Sequence, residues 1–443
     1  MIAAAALEPP VLDLLRACDP VVQRYRAFFA HLDWAAITEP APCRPRPGRE
    51  PHPRTAYIKA LLVKLCEGEA YITRLRSFLV EHPLLVLDLG FRPVPDPTTP
   101  YGFDIERTVP GARWLRHVQQ HLDNALLQTL LRTTVRTLAA EIPGLGATVA
   151  FDVKHIYAWV EQNNLKAYVP DRYDPTQQPT GDPDCRLGVK SSSNQERGGH
   201  VVVVKEFVWG YGSGVAAATD PIHGDVVLAE DTLPFNEADS AHYHPLYERT
   251  VAALGHRPTN VTADAAFDAW HIYETCADGG GTAAIPLNLR GHPAPQRLAD
   301  GAPLCDRGLP MSPSYAFDHT DGYRAQEFRC PLLHPRPTAH TCDHAQFAKG
   351  PGCVKYINIE RGGLMRVLLD RDAPAYKSLY RQRSTAERIN SQAKDLGIER
   401  PKVRNRRSVQ TLNTLTYIVI NVRALQRLAE AAASAPPLSA VLC

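Results

Sequence analysis

Two short apolar runs in this chain each lead into a single aspartate, and this pattern constrains the fold more than any other feature. One run, Ala147-Thr-Val-Ala-Phe, leads into Asp152, and the other, Asn260-Val-Thr-Ala, leads into Asp264. Short runs rich in β-branched and aromatic residues are typical of buried strands. A carboxylate near the end of such a strand is costly to bury without a partner. We therefore expect a compensating partner, and a bound metal ion would serve.

A third acid, Glu387, lies in a charged stretch whose residues are spaced like one face of a helix. Tyr380, Arg383, Glu387 and Lys394 follow one another at steps of three, four and seven residues. At about 100° per residue these positions share one helical stripe. For Arg383 and Glu387 alone, a solvated helix face is the ordinary explanation. Together with the two aspartates, the stripe favours an acid that holds a divalent metal beside cations that bind phosphate.

These three acids resemble the Asp-Asp-Glu triad of bacterial insertion-sequence DDE transposases. The stretch from Tyr380 to Lys394 matches the Tyr-x2-Arg-x3-Glu-x6-Lys signature of one large group of these enzymes. The segments FDVKHI and VTADAAFD resemble the two aspartate blocks of that group, and the resemblance covers roughly residues 145 to 428. It implies an α/β fold: a ribonuclease H-like catalytic domain with a β-rich insertion, preceded by a helical N-terminal domain.

The resemblance also implies an activity, which is metal-dependent phosphodiester cleavage and strand transfer at the ends of an insertion sequence. Mg2+ or Mn2+, which prefer carboxylate oxygens, would be held by Asp152, Asp264 and Glu387. DNA phosphates beside the cleaved bond would be contacted by Tyr380, Arg383 and Lys394. The partners implied are the element's terminal inverted repeats, the target DNA, and further copies of the chain assembled on DNA. The alternative is a catalytically silent or cutting-only DNA-binding protein of the same fold.

Basic residues are concentrated near the end of the chain, although the formal net charge is only +2. Residues 371–407 carry eleven Lys or Arg and four Asp or Glu. The last part of this run contains Arg404, Arg406 and Arg407 and no aromatic residue. A solvated linker and a phosphate-binding strip are both compatible with such a run. The nearby acids favour the strip, so we expect these arginines to contact DNA.

Composition and periodicity, together with what the resemblance implies, divide the 443 residues into five segments. An N-terminal helix and Pro-rich linker (1–50) precede a helical DNA-binding domain (51–110), the first part of the catalytic domain (111–264), the insertion (265–370), and the catalytic and closing helices (371–443). In the second segment the surface candidates for DNA are Arg54, Lys59, Arg74 and Arg76.

Several helices and strands are expected within these segments. Apolar periodicity predicts single helices over 11–32 and 113–142, and further helices over 244–254 and 408–428. Residues 316–329 and 363–369 are expected to belong to the β-rich insertion.

Cysteines and histidines cluster in the insertion. Both are zinc ligands, and the candidate set for a structural Zn2+ is Cys305, Cys330, Cys342 and Cys353. Their spacing is not that of paired Cys-x2-Cys knuckles. Unlinked, reduced cysteines beside surface histidines therefore remain the alternative.

The location expected from the sequence is cytoplasmic, in association with the nucleoid. No run of eighteen apolar residues occurs, so no membrane-spanning helix is expected. The first residues lack the basic start of a signal peptide. The ten cysteines should accordingly be reduced thiols or metal ligands rather than disulfides.

Overall fold

The computed structural model describes residues 8–40, 50–197, 200–289 and 294–434. The helices are α1 (Pro9–Cys18), α2 (Pro20–Phe29), α3 (Arg54–Cys66), α4 (Ile72–Glu81), α5 (Pro83–Leu89), α6 (Ile105–Thr108), α7 (Ala112–His121), α8 (Asn124–Glu141), α9 (Tyr243–Leu254), α10 (Trp270–Asp278), α11 (Ala345–Ala348), α12 (Arg361–Leu368), α13 (Pro374–Arg381), α14 (Ser384–Asp395) and α15 (Arg406–Ser434). The strands are β1 (Val94–Pro95), β2 (Phe103–Asp104), β3 (Thr148–Tyr157), β4 (Arg186–Arg197), β5 (His200–Asp220), β6 (Gly224–Pro234), β7 (Asn260–Thr262), β8 (Thr282–Ala284), β9 (Ser312–Asp318), β10 (Arg324–Arg329) and β11 (Val354–Asn358). The Pro-rich linker expected around 41–48 lies outside the described residues.

The chain divides into two compact units, each drawn from separate stretches of sequence. The first unit comprises Met1–Gly146, Asp152–His256 and Thr385–Cys443, and the second comprises Ala147–Phe151 and Arg257–Ser384. Strand β3 therefore contributes its first residues to the second unit and the remainder to the first. Within the described residues, no helix is both long and apolar enough to cross a lipid bilayer.

Two helices that the periodicity predicts as continuous are each divided by an aspartate, so both predictions were wrong on this point. Asp19 separates α1 from α2, and its side chain accepts a hydrogen bond from the Val22 backbone N–H at 2.9 Å. Asp123 separates α7 from α8 in the same way, accepting from Ala125 N–H at 3.0 Å. An aspartate that caps a helix satisfies an amide that has no partner within that helix, and this favours a new start over continuation.

The first unit is built around β5, which pairs antiparallel with both β4 and β6. Glycine at 210 lets β5 approach β3, because a Cβ there would lie 2.0 Å from the Ile156 carbonyl oxygen. Helices α8, α9 and α15 pack on β6. The helices predicted over 244–254 and 408–428 are confirmed as α9 and α15. Asn421 of α15 exchanges two hydrogen bonds with the Val227 backbone, at 2.9 and 2.8 Å, and so replaces strand partners at an irregular point of β6.

The second unit contains a parallel arrangement and a separate antiparallel sheet. The start of β3 pairs parallel with β7, which pairs parallel with β8. The antiparallel sheet has the order β11-β10-β9, which confirms strands within 316–329. Residues 363–369 were expected to be β-rich, but they fall mainly in helix α12. Gly362 and Gly363 allow this helix to pack closely, because a Cβ on either would lie within 2.6 Å of atoms of Glu274 or Asn358.

Glu230 of β6 is a fully buried carboxyl group that should make folding depend on pH. It accepts hydrogen bonds from Thr414 Oγ1 at 2.6 Å and from Gln128 Nε2. Burial raises its pKa from 4.5 to about 7. The unfolded chain therefore loses this proton at lower pH than the folded protein does. The stabilising contribution is complete below about pH 4.5 and is lost as the pH rises through 7.

Glu230→Gln imitates the protonated carboxyl group and should remove this pH dependence. At pH 8 the variant should be more stable than the wild-type protein by up to about 3 kcal/mol, with little difference near pH 4.5. Urea denaturation at the two pH values measures this change, with the exposed Glu237→Gln as the matched control. Equal pH profiles for wild-type and Glu230→Gln proteins would contradict the assignment.

Candidate active site

Asp152 lies within β3 and contacts the helix that carries Glu387. Asn390 donates from Nδ2 to Asp152 Oδ2 at 2.9 Å, and the Val153 backbone N–H donates to Asp152 Oδ1 at 3.0 Å. Asn390 is buried and follows Glu387 by one turn of α14. Residues three apart share a helix face, so the exposed Glu387 lies on the face that meets Asp152. Within the first unit, Asp152 is therefore linked through Asn390 to the helix that carries Glu387.

A buried tyrosine adds to the polar surroundings of Asp152. The Tyr417 hydroxyl of α15 lies 3.0 Å from Ser213 Oγ, and both side chains are buried. Burial raises the pKa of Tyr417 above its usual range, the hydrogen bond with Ser213 opposes this rise, and the carboxylates of Glu230 and Asp152 add to it. The phenol stays protonated at neutral pH and remains available as a hydrogen-bond donor.

An ion pair fixes α14 against the β5–β6 hairpin. Arg388 donates from Nε to Asp225 Oδ2 at 2.8 Å and from Nη2 to Asp225 Oδ1 at 2.6 Å. The Asp225 side chain is only 8% exposed. This two-pronged contact orients the helix and with it the neighbouring Glu387. Sequence analysis did not single out Arg388 or Asn390, although both adjoin the charged stripe.

The charged stripe is not carried by one continuous helix, and that prediction was wrong. Helix α13 ends at Arg381 and α14 begins at Ser384. Ser384 Oγ donates to the Arg381 carbonyl oxygen at 3.0 Å, which satisfies an acceptor exposed by the end of α13. In the second unit, the guanidinium of Arg383 lies 5.8 Å from the centre of the Tyr380 ring. Tyr380 and Arg383 therefore contact each other across the end of α13.

Lys394, at the far end of α14, is exposed and lies beside an acid. Its Nζ is 4.0 Å from Glu399 Oε2, while Lys154 Nζ is 2.5 Å from Glu399 Oε1. Burial acts to raise the pKa of Glu399, but the hydrogen bond and charge of Lys154 and the charge of Lys394 hold it below its usual value. The Lys394 ammonium thus remains close to the surface and accessible from solvent.

In the second unit, Asp264 lies two residues beyond the end of β7 and caps a short 3-10 turn. Its side chain accepts from the Ala266 N–H at 2.8 Å. The neighbouring Asp268 has a different environment: its buried carboxylate is paired with Arg366 at 2.7 and 2.5 Å. Burial acts to raise the pKa of Asp268, but Arg366 and the other donors hold it below its usual value. Asp268 is therefore a structural acid, whereas Asp264 is only partly buried.

The basic run contacts aromatic rings that come from the end of β3. The Arg404 guanidinium lies 5.1 Å from the centre of the Trp159 ring, Lys402 Nζ lies 5.8 Å from the same ring, and the Arg400 guanidinium lies 4.3 Å from the Tyr157 ring. Together these residues line an open cavity of about 320 Å³. The basic run has no aromatic residue of its own, and only the spacing of Tyr157 and Trp159, two apart at a strand end, could have indicated this surface.

The other two arginines of the run also contact backbone carbonyls. Arg406 Nε donates to the Thr232 carbonyl oxygen at 2.8 Å, and Arg407 Nη2 donates to that of His121 at 2.7 Å. Both arginines therefore help to position the start of α15. Arg404 and Arg407 are exposed, whereas Arg406 is partly buried.

Some N-terminal basic candidates are engaged within the protein. Lys59 Nζ lies 5.0 Å from the centre of the Trp34 ring, and burial lowers the pKa of this lysine. Arg76 pairs with Glu106 at 2.6 Å, and Arg54 donates to the Thr38 carbonyl oxygen at 2.8 Å. Arg74 is exposed on α4.

The four cysteines proposed as zinc ligands do not all come together. Cys305, Cys330 and Cys353 are buried in one cluster with Met311, whereas Cys342 is only partly buried and lies outside it. Among the described residues, the grouped metal-ligand atoms in this region instead belong to Asp306, His344 and Cys353.

A family model described as "Transposase DDE domain" matches residues 204–422, just under half of the chain. The matched span includes Asp264, Glu387 and the basic run, and Asp152 precedes it. No curated relative matches the chain. The family match supports a DDE transposase with a ribonuclease H-like α/β fold, in a family that generally uses a divalent metal.

Arg388→Met should destabilise the fold by about 1–3 kcal/mol, because it leaves the buried Asp225 carboxylate without its two-pronged partner. Lys394→Met removes an exposed charge on the same helix and should cost less than about 1 kcal/mol. Urea denaturation of both variants at pH 7 makes the comparison. Equal, small effects would show that Asp225 is hydrated in the folded protein and does not depend on Arg388.

Proposed function

We propose that this protein is a transposase that cleaves DNA at the ends of an insertion sequence and transfers the ends to target DNA, using Asp152, Asp264 and Glu387. The observation that carries this proposal is the 2.9 Å hydrogen bond from Asn390 to Asp152, since it joins the first acid to the helix of the third. The family match over residues 204–422 supports the same activity.

The register of the strands in the second unit supports including Asp264. Ala150 of β3 lies opposite Thr262 of β7 in a parallel pair. Asp152 and Asp264 each follow their member of this pair by two residues. Equal steps from a matched parallel pair are the arrangement expected of two acids that serve one ion.

The three carboxylates fit Mg2+ or Mn2+, which are hard cations that prefer oxygen ligands. When bound, such ions would activate the attacking oxygen and neutralise charge on the phosphate. Asn390 holds one oxygen of Asp152 in a fixed orientation, and the Arg388–Asp225 pair keeps α14 in place. The protein would thus present its acids already oriented, which reduces the reorganisation required when DNA binds.

DNA would be positioned by cations that flank the acids. Arg383 suits the phosphate beside the cleaved bond, because a guanidinium can bind two phosphate oxygens at once. Tyr380 and Lys394 would contact adjoining phosphates. The helical N-terminal domain, with Arg74 exposed, would bind the terminal inverted repeats. Joining two element ends requires several copies of the protein to associate on DNA. We propose that this takes place in the cytoplasm, at the nucleoid.

The surface formed by Tyr157, Trp159, Arg400, Lys402 and Arg404 would extend this DNA contact. It combines cations with an exposed indole ring, and Trp159 is 41% exposed. Cations bind phosphates, while an aromatic face stacks on unpaired bases of any sequence. Arg406 and Arg407 would add phosphate contacts beside it through their remaining donors.

Asp152→Asn, Asp264→Asn and Glu387→Gln should each abolish cleavage while leaving DNA binding nearly unchanged. Each substitution removes a charge that the metal ions require but no cation that binds phosphate. The measurements are gel assays of cleavage and strand transfer on DNA with the flanking inverted repeats and Mg2+, with binding measured by mobility shift.

Asp395→Asn is the matched control for these variants, because this acid is exposed on the same helix and lies outside the triad. It should retain full activity. Cleavage retained by any triad variant would remove that acid from the site. Cleavage without strand transfer by the wild-type protein would identify the cutting-only alternative.

Arg404→Ala and Trp159→Ala should weaken DNA binding in different ways. Loss of one phosphate contact should lower the slope of log affinity against log salt by about 0.9 for duplex DNA. Loss of the indole should leave that slope unchanged but cost about 1–3 kcal/mol per stacked base on single-stranded DNA. The matched controls are the exposed Arg427→Ala and Tyr168→Ala. Slopes and affinities equal to those of the controls would leave this surface without a role in DNA binding.

A further inference from the structure

Three cysteines of the second unit lie in a small core at one end of the antiparallel sheet. Cys305, Cys330 and Cys353 are 6%, 4% and 8% exposed. Phe328, Leu332, Leu333 and Phe347 pack against them. Their thiols are unbridged. A buried group of thiols belonging to separate loops requires an explanation beyond ordinary packing, because the loops that bear them contain little regular structure.

Strand register explains why these cysteines meet. Arg329 of β10 lies opposite both Val354 of β11 and Ser312 of β9. Cys330 follows Arg329 and Cys353 precedes Val354, so each is one residue beyond the same end of that antiparallel pair. The chain approaches Ser312 from the segment that contains Cys305. The sheet thus brings three separate chain segments to the same end of its strands. Each segment carries one cysteine.

Close backbone approach brings Cys330 beside the residue that precedes Cys353. A Cβ on Gly352 would lie 2.6 Å from Cys330 Cβ, and Gly352 has a φ of +68°, which other residues rarely adopt. At Cys305, a tight turn directs the Leu309 backbone N–H to the sulfur at 3.4 Å.

A histidine beside Cys353 provides a possible fourth ligand. His344 Nδ1 lies 3.5 Å from Cys353 Sγ, and His344 Nε2 lies 3.0 Å from Asp306 Oδ2. The other oxygen of Asp306 accepts from Lys355 Nζ at 3.0 Å. Ligand atoms of Asp306, His344 and Cys353 all lie within 4.8 Å of one another.

We propose that Cys305, Cys330, Cys353 and His344 form a structural Zn2+ site, with Asp306 as the carboxylate that orients the histidine. Three sulfurs and one imidazole are a standard ligand set for a closed tetrahedral zinc site. The Nδ1 of His344 would face the metal and its Nε2–H would donate to Asp306, which is the usual way a ligating histidine is held. Binding would release the three thiol protons. It would also draw in Cys305 and Cys330, whose sulfurs lie outside the 4.8 Å group of Asp306, His344 and Cys353, until all three sulfurs are about 2.3 Å from the ion.

This site replaces Cys342 of the sequence-based set with His344. The two residues are only two apart in sequence, so spacing alone did not distinguish them. A zinc ion here would join the three chain segments that meet at one end of a three-stranded sheet. A sheet of this size has a small core of its own, and a metal tie supplies stability that such a core lacks.

The arrangement of Cys353, His344 and Asp306 also resembles a catalytic triad with a cysteine nucleophile. The environment of the Cys353 thiol argues against a nucleophilic role. Burial raises the pKa of Cys353, and the charge of Asp306 and the thiols of Cys305 and Cys330 raise it further. A reactive cysteine instead needs a depressed pKa and solvent access. A bound metal ion would reverse the preference of Cys353 for the protonated thiol, because it stabilises thiolates directly.

The full-length protein, purified without chelator, should contain about one zinc per chain by elemental analysis. Cys353→Ser and His344→Ala should lose most of this zinc, whereas Cys342→Ser should retain it. Asp306→Asn should still bind zinc but with about 10- to 100-fold lower affinity in a chelator competition, because it alters only the support of the histidine. Glu387→Gln should keep its zinc, so this test is independent of the proposed transposase chemistry.

Cobalt substitution of the wild-type protein provides a second measurement that does not depend on the folding of any variant. Co2+ should give thiolate-to-metal charge-transfer bands and the intense visible absorption of a tetrahedral site. A wild-type protein that contains no zinc and shows no such spectrum with Co2+ would overturn the proposal. Equal loss of zinc from Cys342→Ser and Cys353→Ser would overturn the assignment of His344 as the fourth ligand.

Discussion

Two contacts made within one turn of α14 are the constraint on which the candidate site depends. Arg388 binds the buried Asp225 on one side of the helix, and Asn390 binds Asp152 on another. The first contact is an ion pair between a strand and a helix far apart in sequence, and the second uses an amide that is itself buried. Because both contacts are short and directional, they hold the backbone of the helical turn that carries Glu387, which directly precedes Arg388 in sequence.

The environments of the acids separate those that hold the fold together from those left for chemistry. Asp225 and Asp268 are buried and each is paired with an arginine. Asp152 accepts a neutral amide instead, and Asp264 accepts a backbone N–H in a partly exposed turn. Pairing with an arginine compensates Asp225 and Asp268 for their burial, which assigns these two acids to the stability of the fold.

Sequence patterns predicted those features that depend on local periodicity or on composition. The strands that lead to Asp152 and Asp264 and helices α9 and α15 follow from apolar spacing, whereas the strands within 316–329 were expected from the family resemblance. Helix ends at Asp19, Asp123 and Ser384 were missed because a capping side chain competes with continuation by only about 1 kcal/mol. Asn390 and His344 could not be identified beforehand, because their roles depend on partners brought together by tertiary packing rather than by neighbouring sequence.

The pairing of Arg329 with Val354 fixes both ends of the segment between them, whatever that segment contains. Once the ends of a loop are fixed, doubling its length costs only about 0.6 kcal/mol in closure entropy. The exposed residues 335–341 can therefore tolerate insertions and exchanges of sequence more readily than the flanking strands or the residues around the cysteine core can. This segment is where a chain of this architecture could acquire a new surface without disturbing its sheet.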